Sequence, residues 1–211
     1  MVNEFSSSRV FDALADQMER AEFARALVDE VRGFADEERE HGHLCGAVVE
    51  SLGGEARAPF RVEGTLPEHS DAASSREAVL RNVLSVSCLS ETVAVALIGA
   101  EREEMPDGPL RELLTTIWSD EVGHARFGWR LLSEYAPLLT ATEKSNLSRY
   151  LSIALGALAE YELKSLPANN FVPENGAELG LCSGKEAREL FFETVKVAIL
   201  PNLSALGLSP T

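Results

Sequence analysis

The sequence predicts an all-α protein: a four-helix bundle with a long crossover between its second and third helices, followed by two more helices. Three observations predict it. Valine and isoleucine fall in 3.6-residue patterns and not in alternating ones. Breakers and caps separate stretches of helical length: Gly53-Gly54, Met105-Pro106-Asp107-Gly108, Thr140-x-x-Glu143 and Ser183-x-x-Glu186. At inward positions of those stretches, acids and histidines stand where apolar side chains are expected.

The first helix is expected from about Asn3 to Ala15, with Asp16-x-x-Glu19 as a capping box that opens the second. The second has the clearest periodicity. Leu27, Val31, Phe34, Glu38, His41, Cys45, Val48 and Leu52 alternate steps of 4 and 3 along one seam. Gly53-Gly54 ends it. From Gly54 to about Ser75 the chain is rich in Pro, Gly and Ser, and is long enough to cross a bundle and set the third helix parallel to the second. The third helix spans about Arg76 to Glu104. The fourth spans Pro109 to Tyr135, with proline suited to a first turn and a seam of Leu110, Leu114, Ile117, Glu121, His124, Gly128, Leu131 and Tyr135. A fifth helix runs from the Thr140 cap to about Ser165. After an irregular stretch over 167–182, the Ser183 cap opens a sixth, which Pro201 is expected to kink or stop. The 211 residues fit a single domain, with a core bundle over 3–135 and additional helices over 140–211.

Formal charge is −15. A field of that sign repels phosphate backbones and anionic lipid, so neither nucleic acid nor a membrane surface is an expected partner. Three cysteines, Cys45, Cys88 and Cys182, keep no zinc or disulfide spacing, as suits a reducing compartment. No basic segment followed by an apolar run opens the chain, and the apolar stretch Val83 to Ala100 is broken by serines, Thr92 and Glu91. A cytoplasmic protein is the expectation, monomeric or homodimeric.

Glu91 is the only charged residue between Arg81 and Glu101. Buried alone, a carboxylate there would cost several kcal/mol or be forced to protonate. Two Glu-x-x-His pairs, Glu38/His41 and Glu121/His124, occupy seam positions of the second and fourth helices. Residues three apart project from one helix face, so each pair can present a carboxylate and an imidazole together. The two halves read as copies of one helix pair, which asks for a carboxylate on the first helix. Glu4 precedes Glu38 by 34 residues as Glu91 precedes Glu121 by 30, with Glu19 and Glu22 as rivals. Four carboxylates balance two divalent cations. Oxygen-rich ligation with one imidazole per metal suits iron or manganese better than tetrahedral zinc. Asp120, Glu37 and Tyr135 are candidates to support the ligands from behind. His43 and His69 read as surface groups, and Trp118 and Trp129 as packing against the fifth or sixth helix.

These residues resemble the ferritin-like di-iron carboxylate superfamily, and within it the bacterial ferritin-like domain-containing proteins. The matching segments are Glu4-Phe5-Ser6-Ser7 with Phe11, EEREHGHLCGAVVESLGG (37–54), SVSCLSETVAVAL (85–97) and SDEVGHARFGWRLL (119–132). The resemblance covers about residues 3–135. It implies a ferritin-like four-helix bundle holding two iron ions, with Mn/Fe or Mn as variants. Glu4 and Glu91 would be single-helix ligands, Glu38 and Glu121 bridges, and His41 and His124 terminal ligands. It implies an oxygen-activating oxidoreductase acting on an organic small molecule, with catalytic groups beyond the ligands unassigned. Electrons would come from an external donor, since no flavin, nicotinamide or iron–sulfur motif is present. Iron handling of the ferroxidase or rubrerythrin type and a non-catalytic metal-stabilised bundle are the alternatives. The last two helices and the 167–182 stretch are the expected substrate cover.

Overall fold

The computed structural model describes residues 2–57, 66–166 and 172–211, and every regular element among the described residues is helical. The chain divides into two compact units, Met1–Asn82 and Val83–Thr211.

The first unit contains α1 (Val2–Arg20), α2 (Arg25–Ser51) and most of α3 (Ser75–Val83). α1 runs straight through the capping box expected at Asp16. The side chains of Asp16 and Glu19 are engaged instead by Arg32 and Arg25 of α2, so they staple two helices and cap neither. The turn falls at Ala21–Ala24, where Glu22 adopts a positive φ of 58°. α1 and α2 are antiparallel, as partner numbers show: Phe11 meets Phe34 edge-on at 5.6 Å, Asp12 pairs with Arg39, and Glu19 with Arg25. Phe11, Leu14, Met18, Val28 and Val31 are fully or almost fully buried between them.

The middle of the crossover, 58–65, lies outside the described residues. Its end returns to the C-terminal end of α1. The Pro67 carbonyl accepts from Gln17 and from Asn82, Asn82 also donates to the Gln17 side chain at 2.6 Å, and Arg20 pairs with Glu68. A chain that leaves α2 at Ser51 and reaches this level has travelled the length of α2, about 40 Å for 27 residues. His69, expected to be solvated, is tied into this cluster: its Nε2 lies 2.9 Å from the Asn82 side-chain oxygen. α3 begins where Ser74 accepts from the Glu77 backbone, and the buried Glu77 accepts in turn from Arg81 at 2.6 Å.

The second unit opens with a π-helical segment, Leu84–Ser90, and continues as α4 (Glu91–Glu104), α5 (Pro109–Tyr135), α6 (Ala141–Ser165), α7 (Gly184–Thr194), a second π segment (Val195–Ile199) and α8 (Leu200–Ala205). The run Ser75–Glu104 is long and apolar enough, by length and composition, to cross a membrane. Its Val79, Leu80, Leu84, Leu89 and Val93 are buried, and 39% of its apolar window is. α4 and α5 are antiparallel: Trp118 donates to the Val95 carbonyl and Trp129 to the Thr92 hydroxyl. Both indoles therefore pack on the helix of Glu91, not on the later helices as expected. Their N–H groups need a buried acceptor, and α4 supplies it.

The Thr140 and Ser183 caps form as predicted, each accepting from the backbone N–H three residues on. Leu147, Leu151, Ala154 and Leu158 are the buried stripe of α6. Arg188 of α7 donates to the Leu163 and Leu166 carbonyls, closing the C-terminal end of α6 where a cation is favoured. Pro201 neither stops nor ends the last helix, which continues to Ala205. Proline stands in the first turn after a π segment, where its missing N–H is tolerated.

Candidate metal centre

Each unit carries the same three-residue set on one antiparallel helix pair. In the first, Glu4 of α1 joins Glu38 and His41 of α2, and each offers a ligand atom within 4.8 Å of the others. In the second, Glu91 joins Glu121 and His124 of α5 within the same limit. Neither Glu19 nor Glu22 takes the place of Glu4: Glu19 is spent on arginines, and Glu22 is exposed in the turn.

The burial is what separates these residues from ordinary helix-surface charges. Glu38 and His41 are each 1% exposed, Glu91 7%, Glu121 4% and His124 fully buried. Glu4 is half-buried. Moving a carboxylate so far from water costs several kcal/mol, and a cation ligated by the same oxygens repays it. The buried Glu and His groups could hold a metal ion: oxygen and imidazole nitrogen are donors that divalent transition metals accept. The two pairs differ in closure. His124 Nδ1 lies 3.0 Å from a Glu121 oxygen, hydrogen-bond distance, whereas His41 Nδ1 lies 3.9 Å from Glu38. In both, Nδ1 is the imidazole atom turned toward the carboxylate.

The π segment places Glu91. The Glu91 backbone N–H bonds the Val86 carbonyl five residues back, so the helix is wound wider immediately before this carboxylate. Gly128, one turn beyond His124, lets the segment approach α5 closely. A Cβ added there would lie 2.5 Å from the Ser87 Cβ and 2.9 Å from its backbone carbon. Gly42 allows a similar approach in the first unit, where the Phe5 ring fills the space a Cβ would take at 2.8 Å.

Of the supporting candidates, Glu37 is exposed, and Asp120 and Tyr135 are half-buried. His43 is exposed and stacks edge-on against Phe5 at 5.3 Å; Glu40 is exposed too, so a shifted Glu40/His43 pair leaves the buried face. Cys88 is fully buried, and burial pushes its thiol well above the usual range. Cys45 is half-buried and raised for the same reason. Neither is a poised thiolate.

Sequence reasoning missed three features. The π turn has no sequence signature. Ser87, within it, reads as one more small core residue. The third is a cavity of about 570 Å³ in the second unit. Leu97 and Ala100 of α4 form one wall, Leu181, Cys182 and Leu190 another, and Glu103, Glu104 and Glu186 stand among them. It lies against part of the expected substrate cover, of which 167–171 fall outside the described residues. At its edge the Cys182 thiol donates to Glu101 at 3.7 Å, and burial raises the Glu101 carboxyl above its ordinary value.

Compared with known proteins, the chain matches no family model, no curated protein and no solved structure.

Proposed function

We propose that this chain is a ferritin-like, dinuclear metal-carboxylate protein, with iron the preferred metal, that activates oxygen to oxidise an organic substrate. The observation that carries the reading is the repeated triad: two carboxylates and one imidazole, on an antiparallel helix pair, twice in one chain. Three donors leave a first-row divalent cation short of its preferred coordination, a deficit that further oxygen donors would make up. Four carboxylates match the charge of two divalent ions, so the loaded site is neutral overall.

When bound, such a pair of metals supplies electrons to oxygen and stabilises the reduced products. The chain's own part is to hold the ligands. Helical spacing aligns each Glu with its His, burial excludes water from all of them but Glu4, and the π turn widens the helix before Glu91. The 570 Å³ cavity favours an organic substrate over iron handling, because an apolar wall serves no purpose in moving iron. Leu97 on that wall follows Glu91 by six residues, about 9 Å along a helix axis. The electron donor is external.

Metal analysis of protein purified without chelators tests the reading. About two iron ions per chain with a near-ultraviolet charge-transfer band, and oxygen uptake by the ferrous form in a monomer or dimer, are the expected results. A large cage with ferroxidase activity alone would select iron handling instead. Fewer than one transition metal per chain would remove the proposal.

A further inference from the structure

Ser87 is fully buried, and its hydroxyl has no hydrogen-bond partner among the described residues. A serine inside a helix ordinarily falls back on the carbonyl one turn earlier; this one does not. An unsatisfied hydroxyl away from water is costly, and a native fold keeps one where something else completes it.

Its place in the second helix pair indicates what that is. Ser87 faces Gly128, since the Gly128 Cβ direction runs into the serine Cβ. Gly128 lies four residues after His124 on α5, and Ser87 four residues before Glu91 on the adjoining helix. In an antiparallel pair these two steps carry both chains the same way. Ser87 and Gly128 therefore form the level next to Glu91 and His124, about one helical turn along the axis. That offset is too long for direct ligation and short enough to reach a diatomic or triatomic ligand on the cation. Gly128 contributes no side chain at this level, so nothing on α5 at that position can partner the hydroxyl.

We infer that Ser87 is a positioning residue that donates a hydrogen bond to a small anion bound at the metal held by Glu91 and His124. The inference rests on the proposed metal centre and goes beyond it. The missing partner of Ser87 is the exogenous ligand. The acceptor of such a bond is an anion, which makes it stronger than a bond between neutral groups.

The experiment compares wild-type protein and Ser87→Ala, both loaded with ferrous iron and oxidised in air. Azide, a small anionic probe, is titrated and its charge-transfer absorption followed. Iron content is measured on the same samples, and thermal midpoints on the metal-free chains. Wild-type and variant should both hold two iron ions, while azide affinity falls about tenfold or more in the variant, the loss of one hydrogen bond to a charged acceptor. The metal-free variant should melt about 2–4 °C higher, because a buried hydroxyl without a partner has been removed. Equal azide affinities in two-iron samples would overturn the inference and leave the metal centre standing. A variant that melts lower, or that cannot fold, would show Ser87 serving the fold and overturn it too. Wild-type protein with less than one metal per chain would take both readings down together.

Discussion

The two helix pairs of this protein solve one problem by different means. Both must hold a single-helix glutamate beside a Glu-x-x-His, away from water. In α1 and α2 the helices are regular throughout, and charged side chains fasten them along the surface: Asp12 to Arg39, Asp16 and Glu19 to Arg32, and Glu19 to Arg25. In the second pair the fastening is internal. Trp118 and Trp129 donate to the helix of Glu91, and that helix is rewound as a π segment and pressed onto Gly128. The outcomes differ accordingly. Glu4 is half-buried and His41 stands 3.9 Å from Glu38, while Glu91 is buried and His124 touches Glu121 at 3.0 Å. The first pair is the looser half and the second the tighter one.

The strongest way to break the comparison is to remove one imidazole at a time. His41→Ala and His124→Ala should each lose at least one of two metal ions per chain, measured by elemental analysis after equilibration with ferrous iron. If the tightness of the second pair matters, His41→Ala retains more of the remaining metal at limiting iron than His124→Ala does. Unchanged stoichiometry in either variant would remove that histidine from the ligand set.

A second test concerns how the first unit treats a buried charge that is not part of its triad. Glu77 is fully buried, and Arg81, almost as buried, donates to it twice while also reaching the exposed Asp71. Replacing Arg81 by Ala leaves that carboxylate without its guanidinium, which should cost about 3–5 kcal/mol by denaturant unfolding. The hydrogen bond from Arg81 also holds the Asp71 carboxyl below its usual range. A group depressed in this way stabilises the fold above its unfolded value and loses that contribution as pH falls through the folded one. The wild-type advantage over Arg81→Ala should therefore shrink in acid.

Much of this was legible in the sequence, and the exceptions have a common cause. Glu38, His41, Glu121 and His124 announce themselves because a helical seam is a strict pattern, and an acid or imidazole on it is conspicuous. Thr140 and Ser183 were equally plain, since a capping box is local chemistry. The end of α1 was not: Asp16-x-x-Glu19 has the letters of a cap, but Arg25 and Arg32 across the turn bind those carboxylates more usefully. The π turns, the exposure of Glu37 and the acceptors for Trp118 and Trp129 depend on which helix comes alongside, and no spacing within one helix encodes that.

The glycines offer a smaller effect and a sharper contrast. Gly128→Ala forces a methyl group against the Ser87 Cβ and backbone, neither of which can turn aside, and should destabilise by about 1–3 kcal/mol. Gly42→Ala meets the far edge of the Phe5 ring, a side chain that can rotate, and should cost less. Thermal denaturation of the metal-free variants measures both. Equal losses would mean that the two approaches are equally rigid, and the distinction drawn between the pairs would fail at this level.

The smallest effect lies in the second unit and concerns a half-buried acid outside its triad. Glu101 takes a hydrogen bond from the Cys182 thiol, and burial, the dominant influence, raises its carboxyl above the ordinary 4.5. The folded state then binds a proton more readily than the unfolded chain. This group's contribution is fully present below 4.5 and is lost as pH rises through the raised folded value, the reverse of Asp71. Glu101→Gln keeps the shape and an acceptor for the thiol but cannot ionise. Its melting temperature should match wild type in acid and exceed it modestly at neutral pH. A difference that persisted unchanged below 4.5 would trace the effect to packing and not to charge. As pH falls, Arg81→Ala should lose only the part of its penalty that Asp71 carries, and Glu101→Gln should lose its gain, so the two substitutions should move toward wild type from opposite sides. That opposition tests whether the Arg81 guanidinium holds Asp71 in its ionised form while burial favours the protonated form of Glu101.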